Sequence, residues 1–323
     1  MTDDIGVDDD SVLTSTPETA MEDDSAHVSA TDVAPSVAIV AVSTPIKYAP
    51  VIPAVKGHYA LYCLVIKWLD NPGTPFDHAS NACHQMAAIY KDLSSGSLIF
   101  NVTAREVPVN LAHSAKNVNA AEVIAKRTIG NPSPLHVYAI FNGGAEGASH
   151  GAGDTAHLLG ALTRDVCHEV GHCHPTDLGH SGKYSNNDGT GKYLQYDDGT
   201  SFMGRFSSSK ITALQMYLLG WLAADKVAQY DLGDVPTDFN VQNLFGGDIA
   251  GAVKAVLIPN ALGRPVYLSM PQVNGKALLA IHLSAGKTSQ RVQVFANQAT
   301  YAGLSFVKIA DGNGFVTVRV SSV

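Results

Sequence analysis

The sequence predicts an α+β domain followed by a small antiparallel β-sandwich. Three observations carry the prediction. Strand and helix patterns follow one another between His58 and Phe141, a helical segment then runs into His168-Glu169-Val170-Gly171-His172, and from about Asp231 the text changes to short alternating runs. The chain has 323 residues, 46% hydrophobic and 15% charged, which is enough apolar matter for a sizeable core and too little charge for a wholly disordered chain.

Taken in order, residues 1–55 read as an acidic disordered tail and a Pro/Val-rich connector. Ten acidic residues, Asp3 to Asp32, precede the first basic residue, Lys47, leaving 19 acidic against 21 basic residues beyond it. The net charge of −8 therefore belongs to the tail, and a nearly neutral body gives no electrostatic case for nucleic acid. Pro45, Pro50 and Pro53 keep the connector extended, lying along a sheet edge, so the folded body is expected to begin near Lys56. The longest apolar stretch, Tyr59 to Ile66, is far short of the ~20 residues that span a bilayer. The first 34 residues contain neither Lys nor Arg, so no Sec-type signal is expected there. Four scattered cysteines make neither a disulfide framework nor a Cys-rich zinc module.

Residues 56–230 form the first expected domain. His58 to Trp68 reads as a buried strand, and a helix capped by Asp77 or Ser80 runs through Met86 and Tyr90 to Gly96. Ser97 to Val109 and Leu135 to Phe141 read as further strands. A helix is then expected from Asp154 or Thr155, with Leu158, Leu159, Leu162 and Val166 on one face, continuing into the HEVGH run. A third, short helix spans Lys210 to Leu219, stopped by Gly220. Residues 231–323 form the β-sandwich, whose last hairpin turns at Asp311-Gly312-Asn313-Gly314.

His168 and His172 stand four residues apart, on one helix face, where both imidazoles can reach a single Zn²⁺. Glu169 then lies beside the metal, placed to take a proton from an activated water. A catalytic zinc needs a third protein ligand. Glu169 is the last glutamate of the sequence, so a downstream Glu ligand is excluded, and His174, Asp177 and His180 remain within eight residues of His172. His174 would point about 200° away from the metal face on a continuing helix. Asp177 suits a left-handed turn residue, and His180 follows the permissive Gly179. His157, expected three helical turns before His168 and about 16 Å away by helix rise, reads as a packed or solvated histidine. Cys173 reads as a buried thiol, and Asn186-Asn187-Asp188 as an Asx-rich turn without the spacing of a calcium loop.

The order of these segments resembles the metzincins, and among them the gametolysin-like peptidases. The resemblance rests on HEVGH, on Leu178-Gly179-His180-Ser181-Gly182, on Tyr196 to Gly204 with its Ser201-Phe202-Met203-Gly204, and on Ala213 to Leu222 ending Leu-Gly-Trp-Leu. It covers about residues 56 to 225. It implies a twisted mixed sheet with an active-site helix and a Met-turn at Met203, a Zn²⁺ held by His168, His172 and His180, and Glu169 as general base. The usual spacing places five residues between the second and third histidines, whereas seven separate His172 from His180, a two-residue insertion in the turn. The resemblance further implies a zinc-dependent endopeptidase of extracellular, cell-surface or virion setting, whose polypeptide substrate pairs with an edge strand near Gly143 to Gly153. A structural or adhesive surface protein that keeps the fold and a metal staple is the rival, and the presence of Glu169 speaks for the enzyme, since a structural zinc needs no base.

Overall fold

A computed structural model describes residues 45–204, 209–273 and 276–323, so the expected acidic tail lies outside the described residues. The described chain opens with β1 (Lys47–Tyr48), β2 (Gly57–Lys67), α1 (Phe76–Leu93), β3 (Leu98–Pro108), α2 (Val118–Arg127) and β4 (His136–Phe141). It continues through β5 (His150–Ala152), β6 (Thr155–Leu158), α3 (Thr163–Gly171), β7 (Ser181–Tyr184), β8 (Tyr193–Leu194) and α4 (Ala213–Leu218).

The first sheet has the order β3-β2-β4-β6-β5, parallel except for β5, which runs antiparallel at one edge. Its inner strand β2, between β3 and β4, is apolar on both faces, as a doubly covered parallel strand must be. Leu61, Cys63 and Val65 pack with Ala82, Met86 and Tyr90 of α1 and with Val166 and Val170 of α3. Leu64 and Ile66, on the other face, pack with Val118, Ala121 and Ala125 of α2. That second helix has the i, i+3, i+7 apolar spacing of a half-buried helix, though it was not expected from the sequence. No described helix is long and apolar enough to cross a membrane.

One expected element is corrected. Thr155 to Leu158 is not the start of the HEVGH helix but a fourth parallel strand, and the helix begins only at Thr163. A four-residue buried run satisfies strand and helix patterns equally, and here pairing with β4 decides it. Leu158 is consequently buried while Leu162, at the N-cap, is 61% exposed.

The C-terminal part supplies β9 (Val227–Gln229), β10 (Thr237–Gln242), β11 (Ala255–Ala261), β12 (Arg264–Ser269) and the short pair β13 (Gln272–Val273) and β14 (Lys276–Ala277). β15 (Leu279–Ala285), β16 (Thr288–Phe295), β17 (Gln298–Tyr301), β18 (Leu304–Asp311) and β19 (Phe315–Ser322) complete it. The antiparallel sheet β10-β19-β18-β17 faces an eight-stranded sheet of order β1-β9-β11-β12-β15-β16-β7-β8. The texture change at Asp231 thus marks no boundary in the backbone pairing. β1, β7, β8 and β9 precede Asp231 yet belong to the large sheet, with Ser181 in parallel register with Ser289.

Alternation along β11 shows how one sheet serves both sides. Val256 and Ile258 meet Phe239, Phe306 and Val318 inside the sandwich, whereas Ala255 and Leu257 meet Leu214 and Tyr217 on the α-helical side. The expected start near Lys56 is also corrected. The connector packs on the body through Tyr217 Oη donating to the Pro50 carbonyl (2.8 Å), Trp221 Nε1 donating to the Val55 carbonyl (2.9 Å) and Val55 N–H donating to Leu219 (2.8 Å).

Candidate metal centre

α3 is too short to carry three ligands, and a sharp exit from it decides which residues converge. Asp177 N–H closes on the Cys173 carbonyl (2.9 Å) and Leu178 N–H on the Gly171 carbonyl (2.7 Å), with Asp177 itself left-handed at φ 46°. The chain turned in this way enters the large sheet. Gly179 N–H donates to the Lys287 carbonyl (3.2 Å), and Ser289 N–H donates to the His180 carbonyl (3.0 Å). A Cβ on Gly179 would stand 2.4 Å from Thr288 Oγ1 and 2.8 Å from its backbone nitrogen, so glycine is required there for close approach.

His168, His172 and His180 bring one ring nitrogen each to within 4.8 Å of one another. His168 Nδ1 donates to the Phe202 carbonyl (2.9 Å) and His172 Nδ1 to the Leu178 carbonyl (2.7 Å). Each neutral ring has one N–H, so both Nε2 atoms carry lone pairs, and these face each other at 3.1 Å. Two acceptors in that position repel unless a cation lies between them. The spacing is close to the ~3.3 Å separating two nitrogens bound to one tetrahedral zinc. The Gln195 amide contacts His180 Nδ1 at 2.7 Å, and with its oxygen turned to that nitrogen the third ring also offers its other nitrogen. Burial pushes His168 and His180 down to about 4 and lowers His172 as well, so all three rings are neutral near pH 7. The donor set fits a divalent metal of the zinc class.

Glu169 is 7% exposed, and burial, aided by Asp165, pushes its carboxyl up to about 8. It shares with His168 an open cleft of about 770 Å³ whose walls include Ala148, Ser149, Arg164 and Tyr196. Met203 is fully buried under α3, where a Cβ on Gly171 would approach its Sδ to 2.6 Å. Its carbonyl accepts from Ser181 N–H (2.8 Å), linking the Met203 turn to the strand that follows His180.

No family model, curated protein or solved structure matches this chain.

The remaining sequence candidates lie elsewhere. His174 and Asp177 pair with each other (3.7 Å), and Asp177 with Lys287 (3.6 Å), outside the imidazole cluster. Cys173 is a buried thiol donating to the Glu169 carbonyl (3.3 Å), and Cys63, Cys83 and Cys167 are likewise free and buried. Asp188 Oδ1 accepts from Thr190 N–H (2.8 Å), an Asx turn. His157, expected on the helix of His168, sits instead on β6. Sequence reasoning missed the parts that aim the ligands: Gln195, the Phe202 and Leu178 carbonyls, and β16. Nothing local in the sequence signals a carbonyl's target.

Proposed function

We propose that the chain is a zinc-dependent endopeptidase of the gametolysin-like metzincin type, acting on extracellular or cell-surface proteins. The observation that carries this reading is the pair of opposed Nε2 lone pairs beside a buried carboxyl on the wall of an open cleft. A bound Zn²⁺ would supply Lewis acidity, polarising a peptide carbonyl and making water easier to deprotonate. His168, His172 and His180 hold the ion as neutral donors. Glu169 takes the proton of the attacking water and returns it to the departing amine. A carboxyl with raised proton affinity suits that work, and a cation bound beside it would favour its base form. β5 is an edge strand whose outer side pairs with no strand among the described residues, which suits an extended polypeptide laid alongside it.

A buried carboxyl beside His168 on the wall of an open cleft favours catalysis over a metal staple, since a structural zinc needs no base. Casein or gelatin cleavage tests the reading. Cleavage should disappear with a chelator and return with Zn²⁺, and Glu169→Gln should lower the rate by ~10²-fold or more while zinc stays bound. Zinc-loaded wild-type protein that cleaves neither substrate would favour the staple.

A further inference from the structure

A second set of metal-type donors meets at the β5 edge of the first sheet. Glu146, in the loop after β4, His150 of β5 and His157 of β6 bring one donor atom each to within 4.8 Å of one another. The two histidines are cross-strand partners with rings stacked at 4.4 Å. His157 is 8% exposed, and its Nδ1 has no hydrogen-bond partner although it faces Glu146 Oε2 at 3.3 Å. Its Nε2 faces Glu122 Oε2 at 3.6 Å. An Nε2–H directed at Glu122 leaves the Nδ1 lone pair against a carboxylate oxygen, again two acceptors with nothing between them. A carboxylate behind the distal nitrogen of a ligating histidine is the usual outer partner in metal sites. Glu146 is itself oriented, its Oε2 accepting from Asn142 Nδ2 (2.7 Å). Lys126, the nearby cation, is held by Glu122 Oε1 (2.8 Å) and Asp154 Oδ1 (3.6 Å).

We propose that Glu146, His150 and His157 bind a second divalent metal, clamping β5 to β6. Two imidazoles and a carboxylate select the zinc class over calcium or magnesium, which prefer oxygen alone. The clamp has a place in the cleft. Ala148 and Ser149, which line the same cleft as Glu169, lie between two of the ligands in sequence, and Ser149 Oγ accepts from Leu159 N–H (3.1 Å). An ion here fixes the rim against which a substrate is laid.

Metal stoichiometry of the full chain tests the site. Stripped wild-type protein titrated with Zn²⁺ should take up two equivalents, and the E146Q/H150A variant one. The H168A/H172A variant should keep one equivalent, which adding E146Q and H150A abolishes. The proposal is overturned if folded H168A/H172A protein, checked by circular dichroism, binds no zinc, or binds as much with E146Q and H150A as without. Where H168A/H172A does not fold, equal stoichiometry of wild type and E146Q/H150A overturns it. The H168A/H172A arm lacks the cleft histidines, so its result is independent of the peptidase reading.

Discussion

At the scale of single residues, the chemistry of the cleft depends on where three protons are not. The Phe202 and Leu178 carbonyls take the Nδ1 protons of His168 and His172, which fixes the tautomer in which Nε2 is free to bind. Alanine at His180 should therefore weaken zinc binding far more than alanine at His174 or Asp177, which should stay within a few-fold of wild type. Competition with a chromophoric chelator measures this, and undiminished affinity in His180→Ala would remove it as the third ligand. The spacing of His168, Glu169 and His172 was legible because an i, i+4 pair is a local property of a helix. The assignment of Asp177 to the turn was legible too, because its side chain tolerates the left-handed backbone found there. The Glu146, His150 and His157 cluster was not, because Glu146 stands in a loop and the two histidines meet only through an antiparallel register that no local pattern prescribes.

At the scale of elements, the connector does lie along a sheet edge as expected, but the start of the folded body and the α3 entrance were misread, for one physical reason. Short apolar runs acquire their identity from what they pair with, and the partner is distant in sequence. Residues 45–55 contain three prolines and look like a linker, yet they are held by two buried side-chain donors, Tyr217 and Trp221. Deleting 1–55 should thus lower unfolding stability by at least about 3 kcal/mol relative to deleting 1–44, at about 1 kcal/mol for each of the three hydrogen bonds lost with Pro50 and Val55. Urea denaturation of the two truncations makes the comparison, and equal midpoints would return the connector to the status of a spacer.

At the scale of the whole molecule, the large sheet joins the two halves that composition had separated, and one buried charge marks the joint. Asp198 is fully buried and accepts from Ser181 Oγ (2.7 Å), while His282 Nε2 (3.2 Å) and Arg291 (3.1 Å) reach it from β15 and β16. Burial raises its pKa, but His282, Arg291 and Ser181 more than reverse that and hold the carboxyl well below the usual range. A depressed carboxylate adds stability that is complete above the unfolded value of about 3.9 and is lost as pH falls from there toward the folded value. Asp198→Asn should cost about 3 kcal/mol at pH 7, since it strips the partly buried Arg291 of its partner, and should flatten the acid limb of the stability profile below about pH 4. Denaturant titrations between pH 2 and 7 check both. A variant as stable as wild type, or as acid-sensitive, would show that the joint is held by packing alone.

The pairing of Ser181 with Ser289 also sets the order in which the protein comes into being. A ribosome that has just released His180 must still make more than a hundred residues before β16 exists, on the order of ten seconds of synthesis. During that interval the nascent chain already carries the helix with two imidazoles, while the strand that receives the backbone of His180 is still missing. A chain interrupted anywhere before β16 is therefore left with an unfinished imidazole cluster, which is completed only when the last part of the polypeptide has emerged and folded back.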